Sequence, residues 1–320
     1  MHSAVSPFGP DTRIFIAGHR GLVGSALWRH FTANGFHHLI GRTSSDLDLR
    51  DARATAEFFS DERPEVVISA AAVVGGIAAN VSRPADFFSD NVRIQVNLFD
   101  SAVTSGVHRF LFLGSSCIYP KFAAQPIRED ALFTGPVEQT NEGYAVAKLA
   151  GIAQLTAIRR QHGLPYIAAM PTNLYGPGDN FSIHDSHVLP AMLRRFHDAV
   201  QDGARQVTCW GTGRPRREFL HVDDFAGACH LLLRRYDDET PINVGTGKDI
   251  SVAELAMIVA DVVGYRGEIL WDETKPDGIY RKVLDVGRIG DLGWHAKITL
   301  SEGIRRTYAW FLDHQSDYRR

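Results

Sequence analysis

The sequence predicts an α/β protein, a parallel sheet covered on both faces by helices, and three observations carry that expectation. Short apolar runs alternate with amphipathic stretches through the first half of the 320 residues; a glycine-rich turn links the first run to a helix; and the residues suited to chemistry fall at the carboxyl ends of the runs. The runs cover residues 13–17, 38–41, 65–70, 109–113 and 166–170. Each is strand-length and too uniformly apolar for a sheet with one wet face.

At Gly18-His19-Arg20-Gly21-Leu22-Val23-Gly24 the first run passes into the helix-like stretch 25–31. Strand, tight turn and helix in that order make a Rossmann-type, doubly wound unit that binds a dinucleotide. The first glycine permits the turn, the next lets backbone amides approach a pyrophosphate, and the third allows close helix packing, with the phosphates at the positive helix end. The spacing is G-x-x-G-x-x-G rather than G-x-G-x-x-G. After the later runs stand Arg42, Ala71-Ala72, Ser115-Ser116-Cys117 and Pro171-Thr172-Asn173, which converge at the sheet edge where such folds bind ligands.

The chain exceeds the usual size of one core, so two lobes are expected. Beyond Tyr175-Gly176-Pro177-Gly178 the composition shifts toward Pro, Gly, His and Arg, while 218–235 and 242–247 read as a helix and a strand returning to the first lobe. The expected division is 11–177 plus 218–248 for the dinucleotide-binding domain, and 178–217 plus 249–316 for a smaller, discontinuous α/β substrate lobe. A net charge of −3 gives no basic field for nucleic acid, leaving anion recognition to local pairs such as Arg216-Arg217. The first ten residues lack an apolar signal core, and no stretch approaches membrane-spanning length. Cys117, Cys209 and Cys229 show neither zinc spacing nor a disulfide framework. A cytoplasmic chain without a metal is expected.

Tyr144 and Lys148 lie four apart in a helix-like segment and therefore share a face. A neighbouring ammonium favours the phenolate, making Tyr144 a usable proton donor or acceptor for a carbonyl or alcohol.

Six segments add specificity: FIAGHRG at 15–21, FLGSSCIYPK at 112–121, MPTNLYGP at 170–177, SHV at 186–188, REFLHVDD at 217–224 and KPDG at 275–278. On these the chain resembles the extended short-chain dehydrogenase/reductases, and within them the GDP-4-keto-6-deoxy-D-mannose 3,5-epimerase/4-reductases, which complete de novo GDP-L-fucose biosynthesis. The resemblance implies that Ser115 and Tyr144 contact the C4 oxygen, that Cys117 and His187 are base and acid for inversion at C3 and C5, and that Tyr144 protonates C4 as hydride arrives. It also implies that Lys148 holds the nicotinamide ribose.

The implied cofactor is NADPH. Arg20 matches a family position for the ribose 2′-phosphate. Ser44 stands where a close bacterial relative carries arginine, and Arg42 is the compensating candidate. No acidic residue ends the second run, which removes the usual NAD signal. Further cofactor contacts are expected from Ser45, Asp46, Leu47, Asp48 and Leu49, from Leu113, Gly114, Ser115 and Ser116, and from Pro171, Thr172, Asn173, Leu174 and His187. For the nucleotide sugar the matches are Arg195, Trp210, Arg217 and Asp277, with Lys282 a weaker one. Arginine forks suit a diphosphate, and a tryptophan covers a base or sugar face. Val73 and Gly143 replace a lysine and a frequent proline of relatives. Residues 85–107 and 149–162 read as long helices, which the resemblance makes the faces of a homodimeric four-helix bundle.

Alternative readings are another nucleotide-sugar epimerase or reductase of this family, a 4,6-dehydratase, or a non-catalytic dinucleotide-binding regulator. A dehydratase needs a carboxylic acid near the serine, and Ser115-Ser116-Cys117 offers none. A regulator is expected to have lost one of Ser115, Cys117, Tyr144, Lys148 or His187, and all five are present.

Overall fold

The computed structural model describes residues 8–182, 186–275 and 277–315. In chain order its first part runs β1 (Ile14–Ala17), α1 (Leu22–Ala33), β2 (Leu39–Ile40), α2 (Ala52–Glu62), β3 (Val66–Ser69), α3 (Ile77–Ser82), α4 (Pro84–Thr104), β4 (Arg109–Leu113), α5 (Glu142–His162), β5 (Ile167–Pro171) and β6 (Asn173–Tyr175). It continues α6 (Val188–Gln201), β7 (Gln206–Trp210), β8 (Arg216–His221), α7 (Val222–Arg235), β9 (Ile242–Val244), β10 (Asp249–Ser251), α8 (Val252–Val263), β11 (Glu268–Asp272), β12 (Arg281–Lys282), α9 (Gly287–Asp291) and α10 (Leu300–Asp313).

All five expected strands form, and with β9 they make a parallel sheet in the order β2-β1-β3-β4-β5-β9. The order reverses between β1 and β3, which opens the crevice used by ligands of doubly wound sheets. Every residue of β1, β3, β4, β5 and β9 is buried, as strands covered on both faces require. Alternate strand residues feed two cores. Ile14, Ile16, Ile68, Leu111 and Ile167 pack with Leu27, Phe31 and Phe225 of α1 and α7, while Phe15, Val67, Phe110 and Phe112 pack with Leu98, Phe99, Ile152 and Leu155 of α4 and α5.

A third core joins Leu193 and Phe196 of α6, Leu255 and Val259 of α8, and Ile304 and Phe311 of α10. It lies behind two small sheets, β10-β8-β12 with β6 on β8, and β11-β7. One expectation needs correction here: residues 218–235 are not one helix. Residues 218–221 belong to β8, which pairs with β6, β10 and β12, and the helix begins only at Val222. His221 makes the break, because its Nδ1 accepts the amide of Asp223 and caps α7. The return of β9 to the large sheet is as expected.

Candidate active site

The glycine turn shapes a cradle by leaving out side chains. Gly18 has φ +82°, a left-handed conformation that glycine adopts without strain, and a Cβ on Gly24 would stand 2.1 Å from the Gly18 carbonyl oxygen. The N-terminus of α1 follows, with no capping side chain and no acidic residue in its first turn. By contrast α2, α8 and α10 are capped by Asp51, Ser251 and Thr299. The free amides and positive dipole end of α1, beside an exposed Arg20, suit a phosphate.

At the end of β2 a Cβ on Gly41 would fall 2.5 Å from the His19 ring, which also lies against Trp28 with ring centroids 5.5 Å apart. Arg42 is exposed but engaged: it pairs with Glu62 and lies over Phe58. Ser44 and Ser45 are exposed on the following turn, held by Asp46, which accepts from Thr43 N and Oγ1 at 3.2 and 2.5 Å. Those hydrogen bonds lower the Asp46 pKa. Leu47 is buried, Asp48 pairs with Arg50, and the Leu49 carbonyl accepts from Asn97. Val73 is held by its backbone: its amide donates to Asn91 Oδ1 and its carbonyl accepts from Asn91 Nδ2, both at 2.9 Å.

Beyond β4 the chain runs through Gly114, where a Cβ would clash with Met170 Sδ, into a single helical turn over Ser116–Ile118. Ser115 caps that turn, its Oγ accepting from Cys117 N at 3.3 Å. Tyr144 and Lys148 come from α5. Gly143 lets that helix abut α4, because a Cβ there would lie 2.5 Å from the Pro84 carbonyl oxygen. Lys148 is buried, donates from Nζ to the Leu113 carbonyl at 2.9 Å, and stands 5.9 Å from the Tyr144 ring centroid. Burial pushes its pKa down to about 8.

Lys148 faces Tyr144 as expected, while burial of the phenol acts in the opposite direction. Burial, together with the nearby Cys117 thiol, raises the phenol's pKa, so Tyr144 is a neutral O–H donor. Cys117 likewise does not start as a thiolate by default: burial pushes its pKa up, against Lys282, Ser115 and Lys148, which pull it down. His187, at the N-cap of α6, has its pKa lowered by desolvation and by Lys282. Ser115, Cys117, Tyr144, Lys148, Lys282 and His187 are thus gathered into one electrostatically linked group. Its alternative histidine, His184, lies outside the described residues.

Thr172 and Asn173 converge on the Glu218 carbonyl, at 3.2 and 2.7 Å, and fix Pro171 and Leu174 between β5 and β8. On the small lobe Trp210 is 65% exposed, which removes a core role; Arg195 stands 5.9 Å and Lys275 5.7 Å from its ring. Arg195 also donates to the Thr208 carbonyl at 2.8 Å. Asp277 accepts from Thr212 N and Oγ1 at 2.7 and 2.8 Å, so in this state it holds the loop after β7. Arg217 is turned toward the Asp277 carbonyl, 3.5 Å away, and burial lowers its pKa. Sequence reasoning missed Lys275 as a partner of Trp210, although it begins the KPDG segment.

Among the described residues no group of three His, Cys, Asp or Glu side chains could hold a metal, and the three cysteines are free. No helix among them is long and apolar enough to cross a membrane.

The family model for the NAD dependent epimerase/dehydratase family matches residues 14–245. GDP-L-fucose synthase 1 of Arabidopsis thaliana is 54% identical over 302 residues, 94% of each chain. The chain belongs to this family, in its GDP-L-fucose synthase branch. The GDP-L-fucose synthase of Escherichia coli (strain K12) is 50% identical over 316 residues, covering 96% of this chain and 98% of its own. A solved GDP-L-fucose synthetase from Naegleria fowleri, bound to NADP, shares the branch's fold with a TM-score of 0.90 at 28% identity, covering 98% of each chain.

Proposed function

We propose that the chain uses NADPH to convert GDP-4-keto-6-deoxy-D-mannose to GDP-L-fucose, by epimerisation at C3 and C5 and reduction at C4. The observation that carries this reading is the meeting of Cys117, Tyr144, Lys148, His187 and Lys282 at the carboxyl end of β4, beside the glycine cradle. The uncapped α1 terminus and the omitted Cβ atoms fit a dinucleotide, whose pyrophosphate Gly18, Gly21 and Gly24 would admit. Arg20 and Arg42 would meet the 2′-phosphate, and Lys148 the nicotinamide ribose.

Protons on the carbons flanking a ketone are acidified because their removal delocalises charge onto the C4 oxygen. Ser115 and the neutral Tyr144 phenol donate hydrogen bonds to that oxygen. Cys117 takes the carbon-bound proton as thiolate, and His187 returns one to the opposite face, which inverts the centre. When bound, NADPH supplies hydride to C4. Tyr144 then passes its proton to the resulting alkoxide, so one pocket serves inversion and reduction. Arg195 and Arg217 would hold the diphosphate and Trp210 a flat face of the ligand.

We divide the chain at residues 11–177 plus 218–248 and 178–217 plus 249–316: the third core supports the smaller lobe, with Tyr175 and Phe219 reaching into it and Leu284 and Ile289 packing back into the cores of the large sheet. Helices α4 and α5, each 21 residues long and packed together, would form a homodimeric four-helix bundle with their copies. A cytoplasmic location follows from the soluble cofactor and substrate. Mixing purified protein with NADPH and GDP-4-keto-6-deoxy-D-mannose should consume the nicotinamide absorbance in step with GDP-L-fucose formation; a product that keeps the D-manno configuration at C3 and C5 would leave only a reductase.

A further inference from the structure

A thiol that works as a base in this concavity needs a cation, because burial disfavours its charged form. Cys117 is faced by Ser115 on its own turn, by Tyr144 and Lys148 from α5, and by Lys282 from β12. Lys121 and Arg281 line the same concavity. Most of these cations are already committed. Lys121 pairs with Glu138 at 3.1 Å, Arg281 pairs with Asp249, and Lys148 donates to the Leu113 carbonyl.

Lys282 is different. Its half-buried ammonium makes no hydrogen bond or ion pair among the described residues, and it faces Cys117, His187, Arg217 and Glu218. The backbone beneath it is fastened on both sides. Lys282 pairs in register with Arg217 of β8, the Val283 amide donates to Gln125 Oε1 at 2.9 Å, and the Leu284 amide to Glu218 Oε2 at 2.8 Å. Residue 127, ten beyond Cys117, joins the same strand: Ile127 N donates to the Val283 carbonyl and Asp285 N to the Ile127 carbonyl, both at 2.8 Å. Alternation along the strand sends Arg281 to Asp249 and leaves Lys282 on the other side.

We propose that Lys282 is the positioning residue that sets the charge state of Cys117, its unpaired ammonium fixed by β8 and by residues 125–127 so as to stabilise the thiolate. This rests on the reading of Cys117 as the base. The thiol proton passes to water as the thiolate forms; the sulfur then regains a proton from the substrate carbon, and that C–H electron pair moves into the enolate. Nothing is oxidised. The same ammonium opposes a second positive charge on His187, which makes the imidazolium a readier donor.

The test measures the pH dependence of Cys117 alkylation by iodoacetamide, read on its peptide by mass spectrometry, with no substrate present. Cys209 and Cys229 are buried and react separately. Lys282→Met should raise the Cys117 midpoint by about one pH unit, roughly a tenfold loss of thiolate below it, and Lys282→Arg should restore the parent value. NADPH binding and circular dichroism report folding, with Lys282→Gln replacing the methionine variant if that one does not fold. An unchanged midpoint in a folded, uncharged variant overturns the proposal, as does an equal shift in Lys282→Arg. Because this titration needs no turnover, it can fail while Cys117→Ser still abolishes proton exchange, or hold while that exchange persists, which separates the two ideas.

Discussion

Glu218 and Lys282 sit on adjacent strands, and the fold treats their charges in opposite ways. Glu218 is fully buried, and burial raises its pKa, yet its carboxylate is satisfied: Oε1 accepts the amides of Thr246 and Gly247 at 2.6 and 2.7 Å, and Oε2 that of Leu284. It ties β8 to the segment after β9 and to the strand carrying Lys282. A second scaffold group behaves alike. Tyr119 donates to Asn243 Oδ1 at 2.6 Å, and Glu129 Oε1 accepts the Asn243 amide at 3.0 Å. Among the described residues the Lys282 ammonium has no such partner. Buried polar groups with every bond made hold the fold together, whereas those left open, at a cost in desolvation, are available to a ligand.

That contrast is broken most severely at Tyr144. Tyr144→Phe should lower the rate of C4 reduction by about 10²–10⁴-fold with little loss of stability, as expected for removal of a general acid. Comparing NADPH oxidation with a urea unfolding curve checks both halves. Glu218→Ala should do the reverse, costing about 3 kcal/mol of stability by leaving several amides without an acceptor. A urea midpoint matching the parent's would remove Glu218 from the scaffold.

The smallest effect is expected at His30 and His230, whose ring nitrogens meet at 3.0 Å between α1 and α7, among Phe8, Phe31 and Phe36. Burial, then His30 and Arg234, push the His230 pKa down to about 4. The unfolded chain protonates this group near its ordinary value and the folded chain resists, so its contribution is intact above that value and lost as pH falls toward 4. The full shift corresponds to roughly 3 kcal/mol, which solvent screening of the partly exposed ring reduces to on the order of 2 kcal/mol. His230→Leu should therefore lose stability less steeply over that interval in unfolding curves taken at stepped pH.

The large sheet was legible because uniform apolar runs and a strand-turn-helix glycine pattern have few other solutions. The boundary at Val222 was not. Phe219, Leu220 and Val222 suit either structure, and the decision came from the His221 cap and from Glu218 reaching across to Leu284. Tyr144, Lys148, Ser115 and Cys117 were readable from local motifs. The upward push on the pKa values of Tyr144 and Cys117 was not, since no spacing reveals burial. From the sequence Lys282 could be named only as a weaker nucleotide-sugar candidate: Arg281 and Lys282 are adjacent cations, and only the register of β12 on β8 distinguishes the paired one from the open one.

The most direct measurement of the central claim is solvent deuterium incorporation into GDP-4-keto-6-deoxy-D-mannose at C3 and C5, comparing the parent with Cys117→Ser at equal NADP(H) occupancy. The account predicts label at both carbons with the parent and a large loss with the serine variant while cofactor binding is retained. Exchange at the parent rate in Cys117→Ser would contradict it.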